Sequence, residues 1–126
     1  MKEAKKKLTE DQEDVLKNKG TEPHFSGKYL YNKEKGTYVC ANCGNTLFSS
    51  DTKFDSGSGW PSFYDIKNST SVELKEDVSR GMKRIEVICK KCKSHLGHVF
   101  DDGPKPTGQR YCINSLALDF KKGKKK

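Results

Sequence analysis

The chain has 126 residues, of which 32% are hydrophobic, and its mean hydropathy is −0.92, so we expect one domain with a small core. Small cores usually need a metal or disulfide bonds for stability. The polar first seven residues argue against a signal peptide, and no stretch approaches the ~18 apolar residues of a membrane span. We therefore expect a cytoplasmic protein, where paired cysteines bind metal more often than they form disulfides.

The net charge of +8 is concentrated at the two ends of the chain. Nine of the 25 basic residues and one of the 17 acidic residues lie in residues 1–7 and 121–126, so residues 8–120 are neutral overall. We predict disordered basic ends that attract polyanions weakly, which argues against specific nucleic-acid binding. Residues 8–120 are predicted to form a single domain, and nothing in the sequence demands more than a monomer.

The first predicted element is a short helix over about residues 10–18. Thr9 as N-cap and Gln12 at the third helical position fit a capping box, and Gly20 supplies a stop. The segment that follows is irregular, apart from a predicted short strand over residues 28–31, which ends at a polar turn.

Two predicted strands each run into a Cys-x-x-Cys pair, Cys40 with Cys43 and Cys89 with Cys92. Zinc takes four tetrahedral ligands, and a gap of two residues lets both thiolates of one tight turn face the same ion. Gly44 suits the positive φ that such a turn needs. A thioredoxin-like redox motif is the alternative, but no βαβ pattern surrounds either pair. We predict one structural zinc ion per chain, whose four thiolates leave no open position for a zinc-dependent hydrolase.

Two further features indicate a binding or catalytic site. The only tryptophan, Trp60, follows a glycine-rich approach and precedes Pro61, which is typical of a shaped loop, although a lone Trp more often lies in a core. His95 and His98 follow the second cysteine pair and are candidate metal ligands, proton donors or ordinary surface residues. The filled zinc site disfavours the first role, and histidine titrates near neutral pH, which favours the second.

The fifth cysteine, Cys112, belongs to neither pair. If its segment is a strand, alternate residues share a face, so Arg110, Cys112 and Asn114 lie together. A thiol between a permanent cation and an amide is placed for reactivity. The alternative is a half-buried structural cysteine, and the spacing alone does not decide between the two.

Together these motifs closely resemble the methionine-R-sulfoxide reductase (MsrB) family. The matching segments are residues 19–23, 25–27, 59–63, 95–100, 103–104 and 110–115. The resemblance covers residues 8–120 and implies a mainly β fold, with two antiparallel sheets beside the short N-terminal helix and the zinc site. It also implies an oxidoreductase that repairs oxidised proteins by reducing the R epimer of methionine sulfoxide, and reduces the free amino acid as well.

The same resemblance implies the catalytic roles. Cys112 is the nucleophile, and its attack on the sulfoxide releases methionine and leaves a sulfenic acid. Arg110 favours the thiolate. His95 and His98 are the acids or hydrogen-bond donors to the sulfoxide oxygen, and Asn114 orients them.

The resemblance further implies that Trp60 and Phe63 contact the substrate, with Trp60 against the S-methyl group. Many members of the family carry a second, resolving cysteine where this chain has Ser58, and a serine cannot form that disulfide. Because the other cysteines are assigned to zinc, we predict a one-cysteine cycle. Thioredoxin, a related dithiol protein or a small thiol then reduces the sulfenic acid on Cys112 directly.

A zinc-ribbon interaction module without catalysis is the competing hypothesis. It explains the four paired cysteines and the basic ends. It leaves Cys112, both histidines and the Trp60 loop unexplained, and the neutral charge of residues 8–120 argues against it.

Overall fold

The computed structural model describes residues 8–18, 20–23, 25–78 and 83–122. Within these residues the chain forms one helix and nine strands: α1 (Glu10–Asn18), β1 (Gly36–Cys40), β2 (Thr46–Ser49), β3 (Lys53–Phe54), β4 (Ser62–Phe63), β5 (Val72–Asp77), β6 (Arg84–Cys89), β7 (His95–Phe100), β8 (Arg110–Ile113) and β9 (Leu118–Lys122). Two single 3-10 turns, Ser50–Thr52 and Ser115–Ala117, lie between strands. The prediction of a mainly β protein is confirmed.

The strands form two antiparallel sheets. The smaller sheet has the order β2-β1-β9, and the larger has the order β3-β4-β8-β7-β6-β5. Strand β8, which carries the fifth cysteine, lies inside the larger sheet between β4 and β7. Its backbone is therefore fixed by hydrogen bonds on both sides, which makes it a rigid base for a functional side chain.

Aromatic side chains join the two sheets. Phe48 of β2 stacks on Phe63 of β4 with ring centroids 4.3 Å apart, and Tyr38 of β1 meets Phe63 edge-on at 5.2 Å. Phe63, expected to contact substrate, thus lies in this core and is fully buried. Strand alternation is the reason, because Ser62 takes the opposite face of β4, the face shared with Cys112 across the sheet.

The capping box predicted for the helix is present. The Gln12 backbone N–H donates to Thr9 Oγ1 at 3.1 Å, and the Thr9 N–H donates to Gln12 Oε1 at 3.0 Å. At the other end, the Gly20 N–H donates to the Asp14 carbonyl at 3.0 Å, which satisfies a free carbonyl of the last turn. Among the described residues, no helix has the length and apolar character needed to cross a membrane.

The prediction of a strand over residues 28–31 is wrong. The segment is a turn in which the Leu30 N–H donates to the Gly27 carbonyl at 3.2 Å. Tyr29 is held by side chains instead of a neighbouring strand: its N–H donates to Ser115 Oγ at 3.2 Å, and its ring packs edge-on against Tyr38. Tertiary packing has overridden the local β preference of the aromatic residues.

The C-terminal strand extends further than expected. Lys121 and Lys122, which the sequence assigned to a disordered tail, pair with Thr37 and Gly36 in the register of β1 and β9. The predicted head, residues 1–7, and the remainder of the tail, residues 123–126, lie outside the described residues.

Candidate active site

The four paired cysteines converge on one point. Their sulfur atoms all lie within 4.8 Å of one another, with 3.7 Å between those of Cys40 and Cys92 and 3.6 Å between those of Cys43 and Cys89. A tetrahedron of thiolates about 2.3 Å from a zinc ion has edges of about 3.8 Å. None of the four forms a disulfide. The cluster therefore fits a tetrahedral metal ion.

The electrostatics of the cluster favour a cation. The neighbouring sulfur of Cys89 and burial together raise the pKa of Cys40, and burial raises that of Cys43 to about 11. A hydrogen bond from Cys40 lowers the pKa of Cys89 to about 4. Four thiolates this close repel one another, so they ionise together only around a positive ion.

The two cysteine turns are built alike, at the ends of strands from different sheets. The Gly44 N–H donates to the Cys40 carbonyl and the Lys93 N–H to the Cys89 carbonyl, both at 2.8 Å. Gly44 has a φ of 82° and Lys93 one of 67°, which confirms the prediction of a left-handed residue after the first pair. Because β1 belongs to the smaller sheet and β6 to the larger, an ion held here joins the two sheets.

A cavity of about 300 Å³ opens on the face of the larger sheet that carries Cys112 and His98. We call this the site face. Its lining residues are Thr21, Ser58, Trp60, Arg84, Gly97, His98, Phe100, Arg110, Cys112 and Asn114. The structure thus brings together five of the seven residues predicted to act on or contact the substrate, and leaves out Phe63 and His95.

Cys112 lies in this cavity and is half-buried. On β8, Arg110 and Cys112 are partly exposed while Tyr111 and Ile113 are buried, which is the alternation expected from the sequence. Burial raises the pKa of the Cys112 thiol, whereas the hydrogen bond from Ser58, whose Oγ lies 3.8 Å from the sulfur, and the charge of Arg110 lower it. Burial has the larger effect, so the resting group is a thiol.

Arg110 is held rigidly beside the thiol. Its Nε and one terminal nitrogen donate to the two carboxylate oxygens of Asp102, at 2.8 and 3.2 Å. Its guanidinium also lies over the ring of Phe100, 4.5 Å from the centroid. This two-point pairing fixes the cation in one orientation at the cavity wall.

His98 lies directly across the sheet from Cys112 and is paired with a carboxylate. Its Nε2 donates to Asp77 Oδ2 at 2.8 Å, so in the neutral ring Nδ1 is the unprotonated nitrogen. Arg84 lies 3.6 Å from the same carboxylate oxygen. Burial lowers the pKa of His98, and the hydrogen bond to Asp77 opposes that shift.

Close approach of the two strands at this point requires a glycine. A Cβ atom on Gly97 of β7 would overlap the carbonyl oxygen of Cys112 on β8. Because there is no side chain, the strands pair closely and His98 can stand opposite the thiol.

His95 lies near the cavity without lining it. Leu96 is an extra residue in β7, because Ile88 of β6 pairs with His95 whereas the residue before it, Val87, pairs with Gly97. Residues three apart on a regular strand face opposite sides, and this bulge shifts His95 toward His98, with ring centroids 5.4 Å apart.

A carboxylate also holds His95. Its Nδ1 donates to Glu86 Oε2 at 2.8 Å, and the two side chains are 3% and 5% exposed. His95 is therefore a buried neighbour of His98, oriented by its own carboxylate.

Asn114 and Trp60 connect the cavity to the N-terminal segment. Asn114 Nδ2 donates to the Leu96 carbonyl and its Oδ1 accepts from the Glu22 N–H, each at 3.0 Å. The Trp60 indole Nε1 donates to the Glu22 carbonyl at 2.9 Å. One peptide segment is thus held by both side chains, which fixes the indole at the cavity wall.

Sequence reasoning missed the carboxylates that orient the histidines. Glu86 carried a signal, because it is the single charged residue in the apolar run between Arg84 and Cys89. Asp77 carried none, since it follows other charged residues in β5, and its contact with His98 depends on the pairing of three strands.

Comparison with known proteins identifies relatives across nearly the whole chain. A family profile described as "SelR domain" matches residues 8–122. The chain is 66% identical over 119 residues to a "Peptide methionine sulfoxide reductase MsrB" of Methanosarcina barkeri, covering 94% of this chain and 84% of the relative. A Leptospira interrogans protein of the same name is 58% identical, with 94% and 90% covered. A mouse "Methionine-R-sulfoxide reductase B3, mitochondrial" is 54% identical, with 94% and 47% covered.

The pairing of His98 with Asp77 generates a prediction. Replacing Asp77 by Asn keeps a hydrogen-bonding side chain but removes the negative charge that stabilises the imidazolium. The pKa of His98 should therefore fall, by about one unit or more. NMR titration of the imidazole carbon-bound protons measures it, with His98→Gln to assign the signal.

Glu76→Gln is the matched control. Glu76 precedes Asp77 and pairs with Lys83 at 3.1 Å, so its replacement should leave the His98 titration unchanged. An unchanged His98 pKa in Asp77→Asn would contradict the pairing.

Proposed function

The chain belongs to the MsrB family of SelR-domain proteins, and from that membership we propose that it reduces the R epimer of methionine sulfoxide, in oxidised proteins and as the free amino acid. The observation that carries the proposal is the meeting of Cys112, His98, Arg110 and Trp60 around one cavity. A nucleophile, a proton donor, a cation and an aromatic wall are what reduction of a methyl sulfoxide requires.

The first step is attack of the Cys112 sulfur on the sulfoxide sulfur. The sulfoxide oxygen is protonated and passes to the cysteine, so the substrate leaves as methionine and Cys112 becomes a sulfenic acid. The cysteine sulfur is oxidised by two electrons and the substrate sulfur is reduced by two. The resting thiol must lose its proton for this attack, and the sulfoxide oxygen must gain one.

His98 is the proposed proton donor. It faces Cys112 across the sheet, and its Nε2–H is engaged by Asp77, so the unprotonated Nδ1 first takes the proton of the Cys112 thiol and then passes it to the substrate oxygen, while Asp77 stabilises the transient imidazolium. Arg110, fixed by Asp102, stabilises negative charge on the thiolate and on the developing oxygen. His95 lies beside His98, away from the cavity, and is hydrogen-bonded to Glu86. We therefore propose that His95 orients His98.

We propose that Trp60 forms the apolar part of the substrate-binding cavity. Its indole lines the cavity and its nitrogen donates to the Glu22 carbonyl, and we propose that the apolar ring contacts the S-methyl group. Placing the methyl group there and the oxygen near His98 and Arg110 selects one epimer, because exchanging the two groups would put oxygen against an apolar ring.

We further propose a one-cysteine cycle. Ser58 Oγ lies 3.8 Å from Cys112 Sγ, and a hydroxyl at this place cannot form a disulfide with the thiol. The remaining cysteines are gathered in the four-sulfur cluster. Thioredoxin or another thiol therefore reduces the sulfenic acid directly.

The metal of the cluster is proposed to be a structural zinc ion. The sulfur spacing fits its tetrahedral preference, and four thiolates leave no open position. Asn45 Nδ2, 3.7 Å from the Cys89 sulfur, donates a hydrogen bond of the kind that supports metal-bound thiolates. We also propose that the protein is a monomer and acts in the cytoplasm.

Turnover of the two epimers tests the function. With dithiothreitol as reductant, the protein should reduce R-methionine sulfoxide and leave the S epimer, because only one epimer presents its oxygen to His98. Cys112→Ser should abolish activity, by at least about a thousandfold, while Cys43→Ser should act through stability. Activity on neither epimer by a folded, metal-loaded protein would refute the proposal.

Mass spectrometry after a single turnover tests the one-cysteine cycle. With one equivalent of sulfoxide and no reductant, the peptide containing Cys112 should gain one oxygen. If dimedone is added, the same peptide should carry the dimedone adduct that reports a sulfenic acid. A disulfide between Cys112 and any cysteine of the cluster would contradict the cycle.

Metal analysis and chelation test the zinc. The purified protein should contain one zinc ion per chain, and its removal should lower Tm by about 10 °C or more, since metal binding contributes to folding. Cys112→Ser, which leaves the cluster intact, should keep both the zinc and the Tm.

A further inference from the structure

Three serine hydroxyls form a continuous chain that ends at the reactive thiol. Ser58 Oγ lies 3.8 Å from Cys112 Sγ, and Ser56 Oγ lies 2.8 Å from Ser58 Oγ and 2.7 Å from Ser62 Oγ. Ser62 Oγ in turn lies 3.1 Å from the carbonyl oxygen of Trp60. Every separation is within hydrogen-bonding range, with the longer limit appropriate to sulfur.

The fold holds these hydroxyls in place. Ser62 is fully buried on β4 and stands directly opposite Cys112 on the site face. Ser56 and Ser58 lie on the loop before β4, where Gly57 and Gly59 have φ values of 76° and 93°. The left-handed conformation of these glycines turns the loop so that the Ser56 hydroxyl meets those of Ser58 and Ser62, and the Ser58 hydroxyl meets the thiol.

Backbone groups limit what each hydroxyl can do. The Ser58 N–H donates to Ser56 Oγ at 3.3 Å and the Trp60 N–H to Ser58 Oγ at 3.4 Å. Each hydroxyl has a single proton to donate, so each can serve only one of its two neighbours in the chain at a time. The chain therefore has two complete arrangements, which run in opposite directions.

When Cys112 is a thiol, its S–H donates to Ser58, Ser58 to Ser56, Ser56 to Ser62, and Ser62 to the Trp60 carbonyl. When Cys112 is a thiolate, the sulfur only accepts. The order is then reversed: Ser62 donates to Ser56, Ser56 to Ser58, and Ser58 to the sulfur.

We propose that Ser58, Ser56 and Ser62 form a reversible hydroxyl chain that delivers a hydrogen bond to Cys112 whenever its sulfur is negatively charged. This proposal deepens the proposed function and rests on Cys112 being the nucleophile. Reversal needs only rotation of three hydroxyl groups about their C–O bonds, so no covalent bond forms or breaks in the chain. The thiol proton itself leaves by way of the substrate site.

The chain offsets the cost of ionising a buried thiol. A hydrogen bond to a charged acceptor is roughly twice as strong as one between neutral groups, so the reversed arrangement is favoured only with the thiolate. Ser58 contacts the reacting sulfur. Ser56 and Ser62 act through Ser58 and are positioning residues. Reversal also breaks the hydrogen bond from Ser62 to the Trp60 carbonyl. The ionisation of Cys112 is thereby coupled to the loop that carries Trp60.

The titration of Cys112 without substrate tests this proposal. The rate of alkylation by iodoacetamide is measured against pH on the zinc-loaded protein, with the Cys112 peptide followed by mass spectrometry. Ser56→Ala breaks the chain without touching the sulfur and should raise the apparent pKa of Cys112 by roughly 0.5–1 unit. Ser58→Ala should raise it at least as much, and Ser62→Ala less. Ser56→Thr, which keeps the hydroxyl, should restore the wild-type value.

Ser50→Ala is the matched control, because Ser50 Oγ also accepts a backbone hydrogen bond, from Gly36 at 3.0 Å, but lies outside the chain. An unchanged pKa in Ser56→Ala, or an equal rise in Ser50→Ala, would overturn the proposal. So would a rise in Ser56→Ala that Ser56→Thr fails to reverse, which would indicate a displaced loop. Since no turnover is involved, these outcomes are separate from failure of the reductase activity itself.

Discussion

The four-sulfur cluster is the constraint on which the rest of the structure depends. Within the described residues no backbone ladder connects the two sheets, which meet through aromatic contacts around Phe63 and through the cysteine turns at the ends of β1 and β6. A chain with so little apolar content buries a small core, and the proposed metal ion would compensate for that. By fixing the end of β6, the cluster also fixes where β7 begins, and with it the histidines.

Burial sets the character of the reactive site. It raises the pKa of the Cys112 thiol and lowers the pKa of His98, so both shifts favour the uncharged forms. The resting pair is thus a neutral thiol and a neutral imidazole rather than an ion pair. Asp77, Arg110 and Ser58 each oppose these shifts in part. A neutral thiol reacts slowly with oxidants in general, so in the proposed function Cys112 stays reduced until a sulfoxide enters the cavity.

Local chemistry explains what could be predicted from the sequence. The capping box, the left-handed Gly44, the four-sulfur cluster and the alternation around Cys112 each depend on neighbouring residues or on spacing. Features that depend on tertiary structure could not be predicted in this way. Phe63 lies in the core because of the face that β4 presents, and residues 28–31 form a turn instead of the predicted strand because of side-chain packing. The bulge at Leu96 and the carboxylate of Asp77 follow from strand register, which local pattern does not specify.

The position of β8 in the chain has a consequence for how the protein folds. This strand occupies the interior of the larger sheet, yet it is the eighth of nine in sequence. During synthesis β4 and β7 have no strand between them until residues 110–113 emerge, so the sheet cannot close early. The bonds from Glu22 to Asn114 and Leu116 span more than 90 residues and form later still. Such long-range contacts slow folding, and the catalytic cavity is complete only when nearly the whole chain is available.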